Sequence, residues 1–302
     1  MFKNLQKWLV ISFCALLVCG VFSLYIVESI SAIQLDQATR ESEAMQAFPT
    51  PFALFAQNSK AKSGKAETRA TARGKLISPQ NGDTADTTAA PSAKERANSA
   101  QWRVIDRSDS YDGQLQYYSP SNVSLEGGRV VITTREEFMG DKRYTSGMVE
   151  SNSAYLYGRF SFVIDVSEGK GLFPAIWLMP VENKALPEID IFEMIGSVPD
   201  AFYGVVHYMD GSVQNRDFFK TKVEKEETYL IELEWTEDWL RWFIDGQCML
   251  ETSKFIPNEP MYLIVNQAVG GNWAGSPNKA TVFPATFVLE SWAIEPEWSQ
   301  PR

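Results

Sequence analysis

Tyr229-Leu-Ile-Glu-Leu-Glu-Trp235, Thr236-Glu-Asp238 and Trp239-Leu-Arg-Trp-Phe-Ile-Asp245 follow one another without a gap. Apolar and charged residues alternate on both sides of the short polar break. That period of two marks strands with one buried and one wet face. The break has room only for a tight turn, so the two runs are expected to pair as a hairpin, and Asp245-Gly246 supplies the next hairpin turn. Trp235, Trp239 and Trp242 read mainly as core or sheet-surface packing. The same texture recurs in Arg129-Val-Val-Ile-Thr-Thr-Arg135, Gly158-Arg-Phe-Ser-Phe-Val-Ile-Asp165 and Gly204-Val-Val-His-Tyr208, broken by Gly, Asn, Asp and Pro. Residues 101–302 therefore make one all-β sandwich rather than two domains.

Charge is unevenly spread. The chain of 302 residues has 28 Lys+Arg against 38 Asp+Glu. Residues 1–100 carry a net +3 and residues 101–302 a net −13. So acidic a body disfavours nucleic acid and any polyanionic ligand, and no nucleic-acid partner is expected. A single histidine excludes a multi-His metal site. Cys248 has no second cysteine in the body, so no disulfide framework exists there.

The first hundred residues read as address and tether. Trp8–Val27 is a run of 20 residues without a charge, long enough to span a bilayer as a helix. Lys3 and Lys7 precede it and Arg40 is the next basic residue after it, which places the body outside the cytoplasm. A cleaved signal peptide is the rival, but Ser29-Ile-Ser-Ala32 makes a poor cleavage site. Residues 1–32 are thus expected to be a signal-anchor holding the protein to the membrane, and 33–100 a flexible linker. The linker's exception is the apolar cluster Phe48-Pro-Thr-Pro-Phe-Ala-Leu-Phe55.

Leu186-Pro-Glu-Ile-Asp-Ile-Phe-Glu-Met-Ile-Gly196 carries the chemistry. In a regular strand Glu188 and Asp190 would share a face and Glu193 would point into the apolar layer. An unpaired carboxylate there is costly. A β-bulge near Ile191-Phe192 removes the conflict by absorbing one residue. The outer Cα atoms then lie about 13 Å apart at ~3.3 Å per residue, and two side chains leaning inward bring the carboxyls toward the ~5–5.5 Å of a retaining glycosidase. Asp190 between them would separate the two acidities. Two other readings, a solvated strand edge and a calcium site, fit the flanking apolar residues less well.

The segment resembles, in its bulged form Glu-x-Asp-x-x-Glu, the signature of glycoside hydrolase family 16. Its neighbours strengthen the likeness to the laminarinase-type branch: Gly113-Gln-Leu-Gln-Tyr-Tyr-Ser119, Asn122-Val-Ser124, Tyr144-Thr-Ser-Gly147, Tyr157-Gly-Arg-Phe160, Gly171-Leu-Phe-Pro-Ala-Ile-Trp-Leu-Met-Pro180, Trp242-Phe-Ile-Asp-Gly-Gln247 and Asn266-Gln-Ala-Val-Gly-Gly-Asn-Trp-Ala-Gly275. The resemblance covers roughly residues 101–292. It implies a concanavalin-like β-jelly roll with a substrate cleft across a concave sheet, and hydrolysis with retention. By motif position Glu188 would be the nucleophile, Glu193 the acid/base and Asp190 the assisting carboxylate. Trp177, His207, Trp273, Phe173 and Asn266 would line the cleft. No cofactor is implied beyond a structural calcium, for which Glu290 and the Gly128 carbonyl match the family's ligands. The chain departs from the pattern in four places: Gln114 stands where Glu is common, Phe173 where Trp is frequent, Met148 where Arg is usual and Glu290 where Asp is common. The opening Asp-Glu-Phe strand is not found before Gln101. Asn122-Val-Ser124 also fits an N-glycosylation pattern.

The bulged spacing and the Gly-Gly-Asn-Trp loop favour an endo-acting β-1,3-glucanase on neutral, laminarin-like glucan, working as a monomer. Lichenase-type members have a shorter, unbulged spacing. Agar-type galactan is a second substrate class, and sulfated carrageenan is disfavoured because no basic cluster lies near the motif. The tether suggests hydrolysis or transglycosylation of the cell's own exopolysaccharide. A non-catalytic carbohydrate-binding jelly roll is the reading from another class.

Overall fold

The computed structural model describes residues 101–302 apart from 109, 110 and 183. The expected signal-anchor at 1–32, the linker at 33–100 with its Phe48–Phe55 cluster, and any opening strand before Gln101 lie outside the described residues. Among the described residues no helix is long and apolar enough to cross a membrane.

The strands run β1 (Trp102–Val104), β2 (Gln116–Tyr118), β3 (Val123–Ser124), β4 (Val130–Thr134), β5 (Tyr144–Ser146), β6 (Met148–Val166), β7 (Leu172–Pro180), β8 (Glu188–Met194), β9 (Ala201–Asp210), β10 (Val213–Lys222), β11 (Tyr229–Trp235), β12 (Leu240–Ile244), β13 (Gln247–Thr252), β14 (Met261–Val269) and β15 (Ala285–Pro301). The long strand β6 joins two layers. Its first half pairs with β14 and β1, its second half with β11, and β15 runs along residues 153–166 of both halves. Tyr157 and Gly158, both at positive φ, lie between the halves. The front layer runs β10-β9-β8-β7-β14-β6 with β1 at its far side, and the back layer continues through β11, β12 and β13, with β15 also on β6 and leading to β4.

The expected hairpin is present: Ile231 pairs with Ile244 and Trp235 with Leu240. Thr236 closes its turn by accepting the amides of Asp238 and Trp239 on Oγ1. Asp245 and Gly246 take φ of 49° and 76°, the type I′ geometry that lets β12 reverse directly into β13. Between the layers lies one core. Ile189, Ile191, Phe192, Phe202 and Val206 from the front pack with Phe160, Phe162, Leu233, Trp235 and Trp242 from the back. Aromatic contacts tie the layers: Phe192 meets Phe287 at 6.0 Å and Phe202 meets Tyr229 at 4.7 Å. Asn122 is a structural residue rather than an open glycosylation site. It is buried, and its amide nitrogen donates to Thr133 O at 2.6 Å and Thr145 Oγ1 at 2.9 Å.

Candidate active site

The bulge is where the alternation of polar and apolar residues required it. On β7, Trp177 pairs with Asp190 and the next residue, Ile176, pairs with Phe192, so Ile191 is the extra residue. On β9, His207, Val205 and Tyr203 face Glu188, Asp190 and Glu193 in turn. Those three β9 positions are two apart and share a face, so all three acids project from the outer face of the front layer. Bulging takes the Asp190 carbonyl out of the regular ladder. The Trp242 indole, reaching through the core from the back layer, donates to it at 3.0 Å. Gly204 makes room for that indole: a Cβ there would sit 2.8 Å from Trp242 Cδ1 and 2.4 Å from Phe219 Cε1.

Although they point away from the core, Glu188, Asp190, Glu193 and His207 are only 1%, 3%, 6% and 4% exposed. Neighbouring side chains cover them. Burial pushes the Glu188 carboxyl well above the ordinary carboxylate range, helped by the charges of Asp190 and Glu193. Burial also pushes up Glu193, with Asp190 adding to the rise and Arg216 opposing it. Burial and like charge thus both favour the protonated forms of Glu188 and Glu193. His207 Nε2 lies 3.2 Å from Asp190 Oδ2. Glu188, Asp190 and His207 each bring one donor atom within 4.8 Å of the others, which is also the spread of a small metal site.

Trp177 is half-buried, and its indole N–H donates to Asn266 Oδ1 at 2.8 Å. Asn266 in turn donates to the Tyr118 hydroxyl at 3.1 Å. Asn266 is therefore placed behind Trp177, holding the ring's angle, rather than open to a ligand. Phe173 and Tyr203 pack edge-on against Trp273 at 5.1 and 5.0 Å. The Trp273 loop is anchored through Asn272, which donates to both oxygens of Asp112. Next to Asp112, Tyr111 has its hydroxyl pushed up to about 12 by burial, then by Asp112 and Glu188. Tyr111 thus belongs to the site. Sequence reading passed over it because a lone tyrosine before a Gly turn carries no spacing signal. Gln114, where an acid is common, accepts from Gln116 at 2.9 Å and so braces the same loop.

The calcium expectation needs correction. Glu290 Oε1 accepts from Arg129 Nη2 at 2.6 Å. Nearby, burial and the Glu290 charge raise Asp165, while Arg129 lowers it. A guanidinium already neutralises the carboxylate that a dication would need. The Glu290 and Gly128 donor set does not fit calcium.

A bulged three-acid strand beside clustered aromatic side chains is the arrangement of a glycan-handling jelly roll. The family model of "Glycosyl hydrolases family 16" matches residues 111–283, more than half of the chain. The chain belongs to glycoside hydrolase family 16. It is 29% identical over 211 residues to a "Beta-glucanase" of Rhodothermus marinus, covering 59% of this chain and 72% of that protein. It is 28% identical to "Glucan endo-1,3-beta-glucosidase A1" of Niallia circulans over 59% of this chain, spanning 32% of that protein's length. The laminarinase catalytic domain of Thermotoga maritima superposes with a TM-score of 0.59 at 26% identity, over 66% of this chain and 92% of that domain.

Proposed function

We propose that this chain is a retaining endo-β-1,3-glucanase acting on laminarin-like glucan. One observation carries the reading: the bulge sets Glu188, Asp190 and Glu193 on one face, in a buried site that favours the protonated form of Glu193. Trp177 and Trp273 offer aromatic faces for the apolar side of sugar rings. In the first step the Glu188 carboxylate attacks the anomeric carbon. The glycosidic C–O bond breaks, and Glu193 gives its proton to the departing oxygen. In the second, water attacks the same carbon, Glu193 takes a proton from it, and Glu188 leaves with its bonding pair. Asp190, with His207 at 3.2 Å, redistributes charge between the acids as Glu188 changes from carboxylate to ester. No step uses a metal. The Glu188–Asp190–His207 donor set supports the alternative of a bound ion, which chelation would reveal as lost activity.

Reducing-end release on laminarin, with NMR of the first-formed anomer, tests the reading. β-Anomer appearing first supports it; α-anomer first refutes retention, and binding without any cleavage favours a carbohydrate-binding module. Trp8–Val27 supports a further element: a body held outside the cytoplasmic membrane on a linker, as a monomer, working on a polysaccharide of its own cell. Hydrolysis of laminarin but not of that exopolysaccharide would refute it. Agar-type galactan belongs in the same product panel.

A further inference from the structure

The outer face of the front layer continues past the acids, through β7 and β14 toward β6. Trp177, on the strand next to β8, pairs in register with Asp190 on one side and with Ile264 on the other. Tyr262 lies two residues along β14 from Ile264. It therefore shares that face and is the diagonal neighbour of Trp177, with Cα atoms about 7–8 Å apart. Trp177 and Tyr262 pack on the same small apolar cluster of Tyr118, Met148, Met179 and Ile264. One strand spacing, about 4.8 Å, is close to the length of one sugar unit. A glucan that leaves the acids over Trp177 meets the Tyr262 ring next.

That ring is already covered. Arg302 Cζ stands 3.6 Å from the Tyr262 centroid, the distance at which a stacked sugar would have to sit. Three contacts hold Arg302 there. Its backbone N–H donates to Asn152 O at 2.8 Å, and Nη1 donates to Ser151 O at 3.3 Å and lies 3.5 Å from Glu150 Oε2. Only 23% of the side chain stays exposed. The seat is made by an irregularity in β6. Between Ala154, opposite Tyr262, and Glu150, opposite Ile264, β6 has three residues where β14 has one. There the Ser151 hydroxyl accepts the Leu263 amide at 3.0 Å, while the Ser151 carbonyl serves Arg302. Glu150 is also paired with Arg103, so charge balance alone does not call for Arg302. What Arg302 adds is a cover on an aromatic face in line with Trp177.

We propose that Arg302 is an end-stop on the substrate path: its guanidinium takes the place of a sugar on Tyr262, so that on the β14 side the glucan is gripped as far as Trp177 and no further. The proposal rests on the glucanase reading above. It deepens that reading by setting how many sugar units the site recognises. Arg302 touches no reacting atom and acts on specificity alone.

The test measures kcat/KM of the full chain on β-1,3-linked glucose oligosaccharides of increasing length. In the wild type it should rise with length and level off once a sugar lies over Trp177. Arg302→Ala should move that plateau one sugar further and raise kcat/KM on the longer oligosaccharides about three- to tenfold, the value of one stacked ring. The gain should come through KM, because a remote sugar holds substrate and transition state alike. Adding Tyr262→Leu to Arg302→Ala should cancel it. Arg103→Gln weakens the same Glu150 pairing without uncovering the ring and should leave the length profile alone. An unchanged profile in Arg302→Ala, a gain that survives Tyr262→Leu, or an equal shift in Arg103→Gln overturns the proposal. So does a change in Arg302→Ala that is uniform over all lengths and tracks a loss of Tm, since Arg302 would then only support the fold. If no oligosaccharide is cleaved by either protein, the glucanase reading fails instead. Calorimetric binding of the same oligosaccharides to the Glu188→Gln protein, with and without Arg302→Ala, then decides the end-stop: one more sugar gripped without Arg302 supports it, and equal affinity at every length overturns it.

Discussion

Replacing Trp242 by Phe should damage catalysis from the far side of the sheet. The indole is fully buried, and its N–H is what satisfies the Asp190 carbonyl at 3.0 Å. Phe removes the donor and leaves a buried carbonyl unpaired, which costs about 1–3 kcal/mol. The missing ring adds about 1–2 kcal/mol of lost packing, a fraction of a full aromatic truncation. The sum, ~2–5 kcal/mol, corresponds to a fall of roughly 4–20 °C in Tm for a domain this size. The second effect is positional. Asp190 is the last residue before the bulge and Glu193 the first residue after it back in register with β9, so relaxation of that carbonyl shifts both acids. A displacement of about 1 Å at a reacting group costs on the order of 100-fold, and we expect kcat to drop about 10- to 100-fold with KM much less affected. Trp235→Phe is the control. Trp235 is equally buried, but its N–H goes to Pro257 O at 2.9 Å. It should lose comparable stability and keep kcat within about twofold, since it has no hold on the bulge. Matched losses of Tm with unchanged kcat in both variants would refute the idea that Trp242 positions the acids.

Gly204→Ala puts a Cβ 2.4 Å from Phe219 Cε1 and should destabilise by about 1–3 kcal/mol, read by chemical denaturation. Because burial raises the carboxyls of Glu188 and Glu193, the folded state binds protons that the unfolded state has released. Stability from this source is full below the unfolded carboxylate pKa and is lost as pH rises through the raised folded values. Glu193→Gln should therefore raise Tm at neutral pH and lose that advantage near pH ~4, the unfolded carboxylate range. The same change should abolish laminarin hydrolysis. The Arg129–Glu290 pair is half-exposed, so EDTA should leave Tm unchanged and Arg129→Ala should cost no more than about 1 kcal/mol by thermal melting.

Legibility in the sequence followed the reach of the physics. Alternation is local, so the β11–β12 hairpin and the Asp245-Gly246 turn were readable to the residue. The bulge was readable because a regular strand would have driven Glu193 into the apolar layer, and only one inserted residue avoids that. Contacts between strands far apart in the chain were not readable. Trp242 looked like any core tryptophan, and nothing local says that its N–H ends on the Asp190 carbonyl. Asn266 matched a cleft position, yet a second-layer contact decides that its oxygen faces Trp177. Arg129 gave no hint of Glu290, the calcium position that its guanidinium fills.

These non-local contacts share a purpose. Three acids and a histidine in a cleft are a standing cost to folding, since each charge has lost water. Asp190 has His207 beside it at 3.2 Å. The chain fixes the acids' backbone from behind, through Trp242 and the gap at Gly204, and sets one half-buried cation, Arg216, where its charge opposes the rise of Glu193. Geometry is thereby controlled through the core and acidity through the cleft rim. The two can be perturbed separately: a core variant such as Trp242→Phe should change rate with little movement of the pH profile. Arg216→Gln should let Glu193 rise further and carry the alkaline limb of the profile to higher pH. A Trp242→Phe enzyme whose pH profile moved as far as that of Arg216→Gln would show that backbone position and acidity are one variable here, and the division would fail.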